Sequence, residues 1–215
     1  LATDWITKGH SITFILMSKK GEYLKNISKK IKIITLNKKK LRQIFFPLIS
    51  IFNNTKPDII LAQMWPLTSI TVLAWLASFK IGKLFLVDHV HLSSSVEKEI
   101  YFPKKLFKII IKITYLFANK IIVVSNGVKK DLVQISNNLD KKIKVINNPL
   151  IKKKNFKIKN KLSLRKKIWG KDTKYCILNV GSLKTQKDHL NLIEAFSLLK
   201  FHKKCKLLII GNGPL

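Results

Sequence analysis

Short runs of β-branched and other apolar residues alternate along the chain with longer stretches in which apolar residues recur at helical spacing. The short runs predict strands over residues 11–16, 31–36, 58–62, 83–87, 120–124, 142–146, 175–180 and 206–210. Several are apolar at consecutive positions, the pattern of a strand covered on both faces. The longer stretches predict helices over 41–52, 67–79, 104–117, 128–135 and 189–199. Strand–helix–strand alternation implies parallel sheets with right-handed crossovers, so the expected fold class is α/β, doubly wound and Rossmann-like. Leu1 to Lys8 reads as the end of a helix that Lys8-Gly9-His10 caps and turns into the first strand. A helix there requires a preceding strand in such a fold, so the expectation is an internal fragment without its first strand.

The pattern changes after Asn147-Asn148-Pro149. Residues 151–161 are lysine-rich without a clean period and read as a linker or hinge, followed by a short basic helix up to Trp169. Tyr175 opens a new strand. The expected organisation is a first domain over 1–149, a linker with its basic helix over 150–174, and the start of a second, truncated domain over 175–215. The longest uncharged apolar run, Leu67 to Phe79, is thirteen residues, too short to span a bilayer. No basic start followed by an apolar block opens the sequence, so no signal peptide is read there. Cys176 and Cys205 show neither metal spacing nor a disulfide framework, which fits a reducing, cytoplasmic setting.

Charge alters this picture less than it first suggests. The 215 residues carry 42 Lys+Arg against 11 Asp+Glu, a net charge of +31. Only Arg42 and Arg165 are arginines. Arginine supplies the bidentate fork that reads guanine edges and grips phosphate, so its scarcity argues against nucleic acid as a partner. The abundance of Ile and Asn beside Lys points to an AT-rich coding bias as one source of the charge. Attraction to an anionic membrane surface, which needs only point charges, is the other. The helix expected at 104–117 suits that second source. Lys104, Lys105, Lys108 and Lys112 lie along one side of it, with Leu106, Ile109, Ile110, Ile113 and Phe117 opposite. Such a helix either lies in a membrane interface or packs its apolar side into the first domain's core.

Candidate chemistry concentrates at strand ends. The segment Asn179 to His189 takes a strand through Gly181 into a loop with Lys184 and Lys187, then into an amphipathic helix beginning near Asp188. Leu190, Ile193, Phe196 and Leu199 are expected to form its buried face. Free amides and the positive dipole end at such a helix start attract phosphate, although an ordinary turn with solvated lysines has the same spacing. Gly211-Asn212-Gly213-Pro214 follows the last strand; its glycines permit backbone to approach a ligand, or simply form a turn. His89 and His91 follow Asp88 at another strand end, the edge where doubly wound sheets place ligands. His10, His189 and His202 read as structural or solvent-facing, and Ser125 as a helix N-cap. No metal-spaced His/Cys cluster is present, and no cofactor chemistry is expected.

Taken together, Gly181 to Phe196 and Lys206 to Pro214 resemble the nucleotide-sugar-binding half of the family 4 glycosyltransferases of GT-B fold. That pattern is a strand, Val-Gly-Arg-Leu, a variable pair, Lys-Asp or Lys-Gly, and a helix, with a later strand ending in Gly-x-Gly-Pro. Upstream, Lys56-Pro57-Asp58-Ile59-Ile60, Val123 to Val128 with Asp131-Leu132, and Lys144 to Pro149 match in order. The resemblance implies two Rossmann-like domains, the first on the acceptor side and the second holding a nucleotide-sugar donor. It implies sugar transfer to a glycan or lipid-linked acceptor in cell-surface polysaccharide synthesis, with retention at the anomeric carbon and without a metal. The cleft would close about the hinge. Gly181, Ser182 and Lys187 fall on the donor-phosphate positions, Gly211 and Gly213 on the nucleotide side, and His89 on the catalytic histidine, with His91 the runner-up. Ser182 stands where the family has arginine, which removes a bidentate phosphate contact; Lys184 is a partial substitute. The family's paired glutamates would lie past Leu215 and its glycine-rich acceptor loop before Leu1. The fragment alone is therefore expected to be inactive, and a catalytically inactive, membrane-associated binding module is the alternative. A cytoplasmic place, peripheral on the inner face of the membrane, is the expected location.

Overall fold

A computed structural model describes residues 1–19, 21–96, 102–149, 160–171, 173–200 and 204–214. The chain divides into two compact units, Leu1–Leu150 and Ile151–Leu215. The hinge at 151–161, except its last two residues, and His202 lie outside the described residues.

The first unit runs α1 (Ala2–Thr7), β1 (Thr13–Leu16), β2 (Lys32–Thr35), α2 (Phe45–Thr55), β3 (Ile59–Gln63), α3 (Leu67–Ala77), β4 (Lys83–Asp88), α4 (Leu92–Ser95), α5 (Lys104–Phe117), β5 (Lys120–Val123), α6 (Asn126–Ile135) and β6 (Ile143–Val145). The second runs α7 (Lys161–Trp169), β7 (Tyr175–Val180), α8 (His189–Ser197) and β8 (Cys205–Ile210). All strand pairs are parallel: β1 with β2, the order β3-β4-β5-β6, and β7 with β8. Each strand expected from the sequence forms, within two residues of its anticipated ends. The four-residue α4 is an addition, since Leu92 to Ser95 is too short to show a period.

Local chemistry sets the boundaries. Gly9, at φ +87°, ends α1: its amide donates to Ile6 O at 3.0 Å and that of His10 to Trp5 O at 3.1 Å, the paired bonds of a Schellman cap. His10 thus caps through its backbone. After α3 the indole Nε1 of Trp75 donates to Ile81 O at 3.0 Å and pins the turn into β4. Asn119 bridges α5 and β5, its side chain accepting from Leu84 N at 2.8 Å while its amide donates to Leu84 O at 2.9 Å. The core lies between the four-stranded sheet and its helices, with Leu84, Leu86, Ile111, Tyr115, Ile121 and Val123 fully enclosed.

Two expectations change. β3 is covered on one face only, with Ile60 and Ala62 buried but Ile59 56% exposed. α5 buries Phe107, Ile111, Thr114 and Tyr115 instead of the stripe that contains Ile109 and Ile113, which faces outward. Both stripes recur at helical spacing, so periodicity alone could not choose between them. The buried one contains hydroxyls that find partners: Thr114 Oγ1 lies 3.0 Å from Ser69 Oγ, and Tyr115 Oη 2.8 Å from Thr68 Oγ1.

α6 begins where expected for a capped helix. The Oγ of Ser125 accepts from Val128 N at 3.2 Å. Ser125→Ala is expected to lower the stability of the first unit by about 1 kcal/mol in chemical denaturation, with Ser125→Asp restoring most of it.

Candidate active site

In the first unit, the C-terminal end of β4 delivers Asp88, His89 and His91 to one edge of the parallel sheet. Alternation along the strand sends Asp88 inward and leaves His89 half-buried at the edge. No described residue hydrogen-bonds the imidazole of His89. His91 is placed differently: it is the N-cap residue of α4, and its ring lies against the start of α6. A Cβ built on Gly127 would sit 3.0 Å from His91 Nε2, so glycine there lets the imidazole approach the helix backbone. Asp131, buried on α6, fixes this arrangement by accepting from Ser93 N at 3.2 Å and from the Ser93 hydroxyl. Asp131 therefore caps α4 from a neighbouring helix, which gives the matched Asp131-Leu132 motif a structural purpose.

Asp88 is fully buried. Tyr115 Oη donates to its Oδ1 at 3.3 Å, while its Oδ2 has no partner among the described residues. Burial raises its pKa from 3.8 to about 7; the Tyr115 hydrogen bond pulls the other way, and the charge of Asp131 adds to the rise. Tyr115 is itself pushed well above the ordinary phenol range, by burial first and by the Asp88 charge second. Asp88 is not among the site residues expected from the sequence. Its position as the last residue of an apolar strand, directly before a histidine, was the available signal.

In the second unit two loops are stitched together beyond the strands. Gly181 N donates to Ile210 O at 3.0 Å and Leu183 N to Asn212 O at 3.2 Å, so β7–β8 pairing continues past both strand ends. The approach leaves no room for a side chain: a Cβ on Gly211 would lie 1.7 Å from Gly181 O, and one on Gly213 2.0 Å from Leu183 O. The glycines expected to admit a ligand here admit the neighbouring loop. Gly181 and Lys187 are brought together, the aliphatic stem of Lys187 lying 3.9 Å from where a Cβ on Gly181 would be. Ser182 is half-buried between them in the chain, and Lys184 is exposed.

The helix mouth is narrower than expected. The amides of Lys187 and Asp188 are used in a tight turn, donating to Lys184 O at 2.9 Å and Thr185 O at 3.1 Å. α8 begins at His189, and no side chain caps its first turn. Asp188 takes a left-handed conformation, φ +47°. Glycine and aspartate tolerate that region better than most residues, which explains the Lys-Asp or Lys-Gly alternation of the resembling pattern. The face of α8 also differs. Leu190 is 77% exposed, and His189, Leu192 and Phe196 are the half-buried positions. A strict i+3 series drifts around a 3.6-residue helix, so Leu190 and Leu199 cannot share one face. The nitrogens of His189 are shielded without a partner among the described residues, a packed histidine rather than a solvated one.

Asp88 makes stability depend on pH with a definite sign. A carboxyl whose folded pKa, about 7, exceeds the ordinary 3.8 holds its proton more tightly when folded. The stabilisation is complete below the ordinary value and is lost as pH rises through 7. Asp88→Asn removes this titration. Between about pH 5 and pH 8 the difference in unfolding free energy is expected to move in the variant's favour by about 1–3 kcal/mol; parallel pH profiles would exclude Asp88 as the source. In the second unit, Gly211→Ala is expected to disrupt the paired loops and lower its thermal stability sharply, whereas Gly181→Ala, meeting only the Lys187 stem, is tolerated.

Known proteins agree with this architecture. The model of Glycosyltransferase Family 4 matches residues 1–151, and that of Glycosyl transferases group 1 matches residues 160–215. None of the curated proteins matches the chain. Among solved structures, a glycosyltransferase from Rickettsia africae is 17% identical, with a TM-score of 0.67, over 97% of this chain and 62% of that one. HepE from Anabaena, in complex with UDP and glucose, is 17% identical, with a TM-score of 0.65, over 94% of this chain and 53% of its own. WaaB, a lipopolysaccharide outer core galactosyltransferase in apo form, is 18% identical, with a TM-score of 0.56, over 95% and 52%. The chain thus spans between half and two thirds of the length of these structures, and their likeness establishes the α/β, GT-B fold. With one model covering residues 1–151 of 215, the chain belongs to Glycosyltransferase Family 4.

Proposed function

We propose that the protein transfers a hexose from a nucleoside-diphosphate sugar to a glycan or lipid-linked acceptor in cell-surface polysaccharide synthesis, with retention at the anomeric carbon. The observation that carries this reading is the loop after β7, where the stem of Lys187 lies on Gly181 beside an uncapped helix start. In this reading the Lys187 ammonium and the first amides of α8 stabilise the charge that gathers on the departing diphosphate. Ser182 offers a hydroxyl to the same group. Gly211 and Gly213 serve the nucleotide side by holding the two loops together. His89, whose imidazole has no hydrogen-bond partner among the described residues, donates to a sugar hydroxyl or offsets charge on the reacting phosphate. No metal or separate cofactor enters the proposal, and charge stabilisation rests on these groups.

The HepE structures are complexes with UDP and glucose, with UDP and with UDP-glucose, which supports a nucleotide-sugar as donor here. A second reading, a catalytically inactive binding module, draws on Ser182 standing where the resembling family has arginine.

Lys187→Met keeps the stem over Gly181 and removes the charge. In the full-length protein it is expected to slow release of nucleoside diphosphate from the donor by about a hundredfold while thermal unfolding stays unchanged. Unaltered turnover would remove Lys187 from the mechanism. Donor binding by calorimetry with no turnover in the unmodified protein would favour the binding module.

A further inference from the structure

Three residues, His89, Val90 and His91, join the end of β4 to the start of α4, and both ends are anchored. At the strand end Asp88 is fully enclosed and held by the Tyr115 hydroxyl. At the helix end Leu92 is 2% exposed within the core. The next residue, Ser93, is gripped by Asp131 of α6, one carboxylate oxygen accepting from its amide and the other from its hydroxyl. Between the anchors Val90 packs against the core and the His91 ring rests on Gly127. Asp131 is 6% exposed, and burying a carboxylate costs free energy that its hydrogen bonds must offset. Ser125 already caps the start of α6, and the bonds of Asp131 fix α4 instead.

We propose that Asp131 and Ser93 are positioning residues for sugar transfer: their pairing fixes the segment after Asp88 and so sets where His89 presents its imidazole. The inference rests on the catalytic role given to His89 above and adds the device that holds that residue in place. Hydrogen bonds to a charged oxygen are stronger than neutral ones. Here two of them join one residue to one carboxylate, which fixes orientation as well as distance. With only His89, Val90 and His91 between the anchors, slack at Ser93 passes directly to His89. A displacement of about 1 Å in a reacting group costs about a hundredfold in rate. The donor diphosphate is assigned to the second unit, so slack at Ser93 lowers kcat and spares the donor KM.

The test is steady-state kinetics and thermal unfolding of the full-length protein, with its histidines isotope-labelled for magnetic resonance. Ser93→Ala removes the hydroxyl and keeps the amide; kcat is expected to fall about tenfold or more with the donor KM unchanged. Ser93→Thr, which restores a hydroxyl, is expected to recover most of the loss. Asp131→Asn, which exchanges one acceptor oxygen for a donor, is expected to act like Ser93→Ala. Gly127→Ala reaches the same segment from its other side, because the new Cβ presses on the His91 ring. Alanine suits a helix better than glycine, so kcat is expected to fall there without loss of thermal stability. In a His89→Ala background none of these changes is expected to cost further turnover. The His89 imidazole resonance is expected to move in Ser93→Ala and return in Ser93→Thr, a readout that needs no turnover. An unmoved resonance, unchanged kcat in Ser93→Ala, or losses that add to that of His89→Ala would overturn the inference. Full turnover in His89→Ala would instead overturn the catalytic role of His89, while the resonance still reports whether Asp131 and Ser93 hold that residue.

Discussion

A tyrosine hydroxyl buried beneath the end of a parallel strand must find hydrogen-bond partners, and Tyr115 finds them in Thr68 of α3 and Asp88 of β4. Leaving such a group unpaired costs about 1–3 kcal/mol, enough to choose between two otherwise similar helix orientations. That choice governs the first unit. It rotates α5 so that Phe107 and Ile111 enter the core, it holds α3 against α5, and it places a carboxyl directly behind the half-buried His89. It also leaves the Ile109–Ile113 strip facing outward, a consequence of the same rotation.

The polar group behind His89 is incompletely satisfied, since Asp88 Oδ2 has no described partner and burial raises its pKa. A carboxyl so placed is neutral over part of the range in which most others are ionised. The same strand end is held on its far side by Asp131, which caps α4 and keeps Ser93 in place. Two buried acids thus shape the loop that carries the histidines. In the sequence Asp88 is marked only by its place at a strand end and Asp131 only by a motif; what each one does is set by contacts with other segments.

The second unit rests on backbone proximity. Loops 181–183 and 211–213 are paired through main-chain hydrogen bonds, and the carbonyl of Gly181 occupies the space a side chain on Gly211 would need. This explains two glycines without invoking a ligand, and it also explains why the loop is fixed in shape. A fixed loop can present Lys187 at a constant place because the lysine's stem rests on Gly181. Preorganised charge of that kind is what loss of an anionic leaving group requires.

The sequence by itself determined the order of strands and helices, the cap at Ser125, the turn at Gly9 and the pairing of Gly181 with Lys187 in one loop. These are properties of short segments, set by apolar period, φ preference and side-chain reach, and they survive any arrangement of the rest. Only the tertiary structure decided which stripe of α5 is buried, which residues of α8 face inward, and that Gly211 and Gly213 accommodate backbone. In α5 the outward stripe is the more apolar of the two, and the decision falls to the Thr114 and Tyr115 hydroxyls, which find partners on other elements. At the glycines it falls to a carbonyl roughly thirty residues away along the chain, close only because β7 and β8 lie side by side. Contacts between distant segments carry no period, so the chain alone could not reveal them.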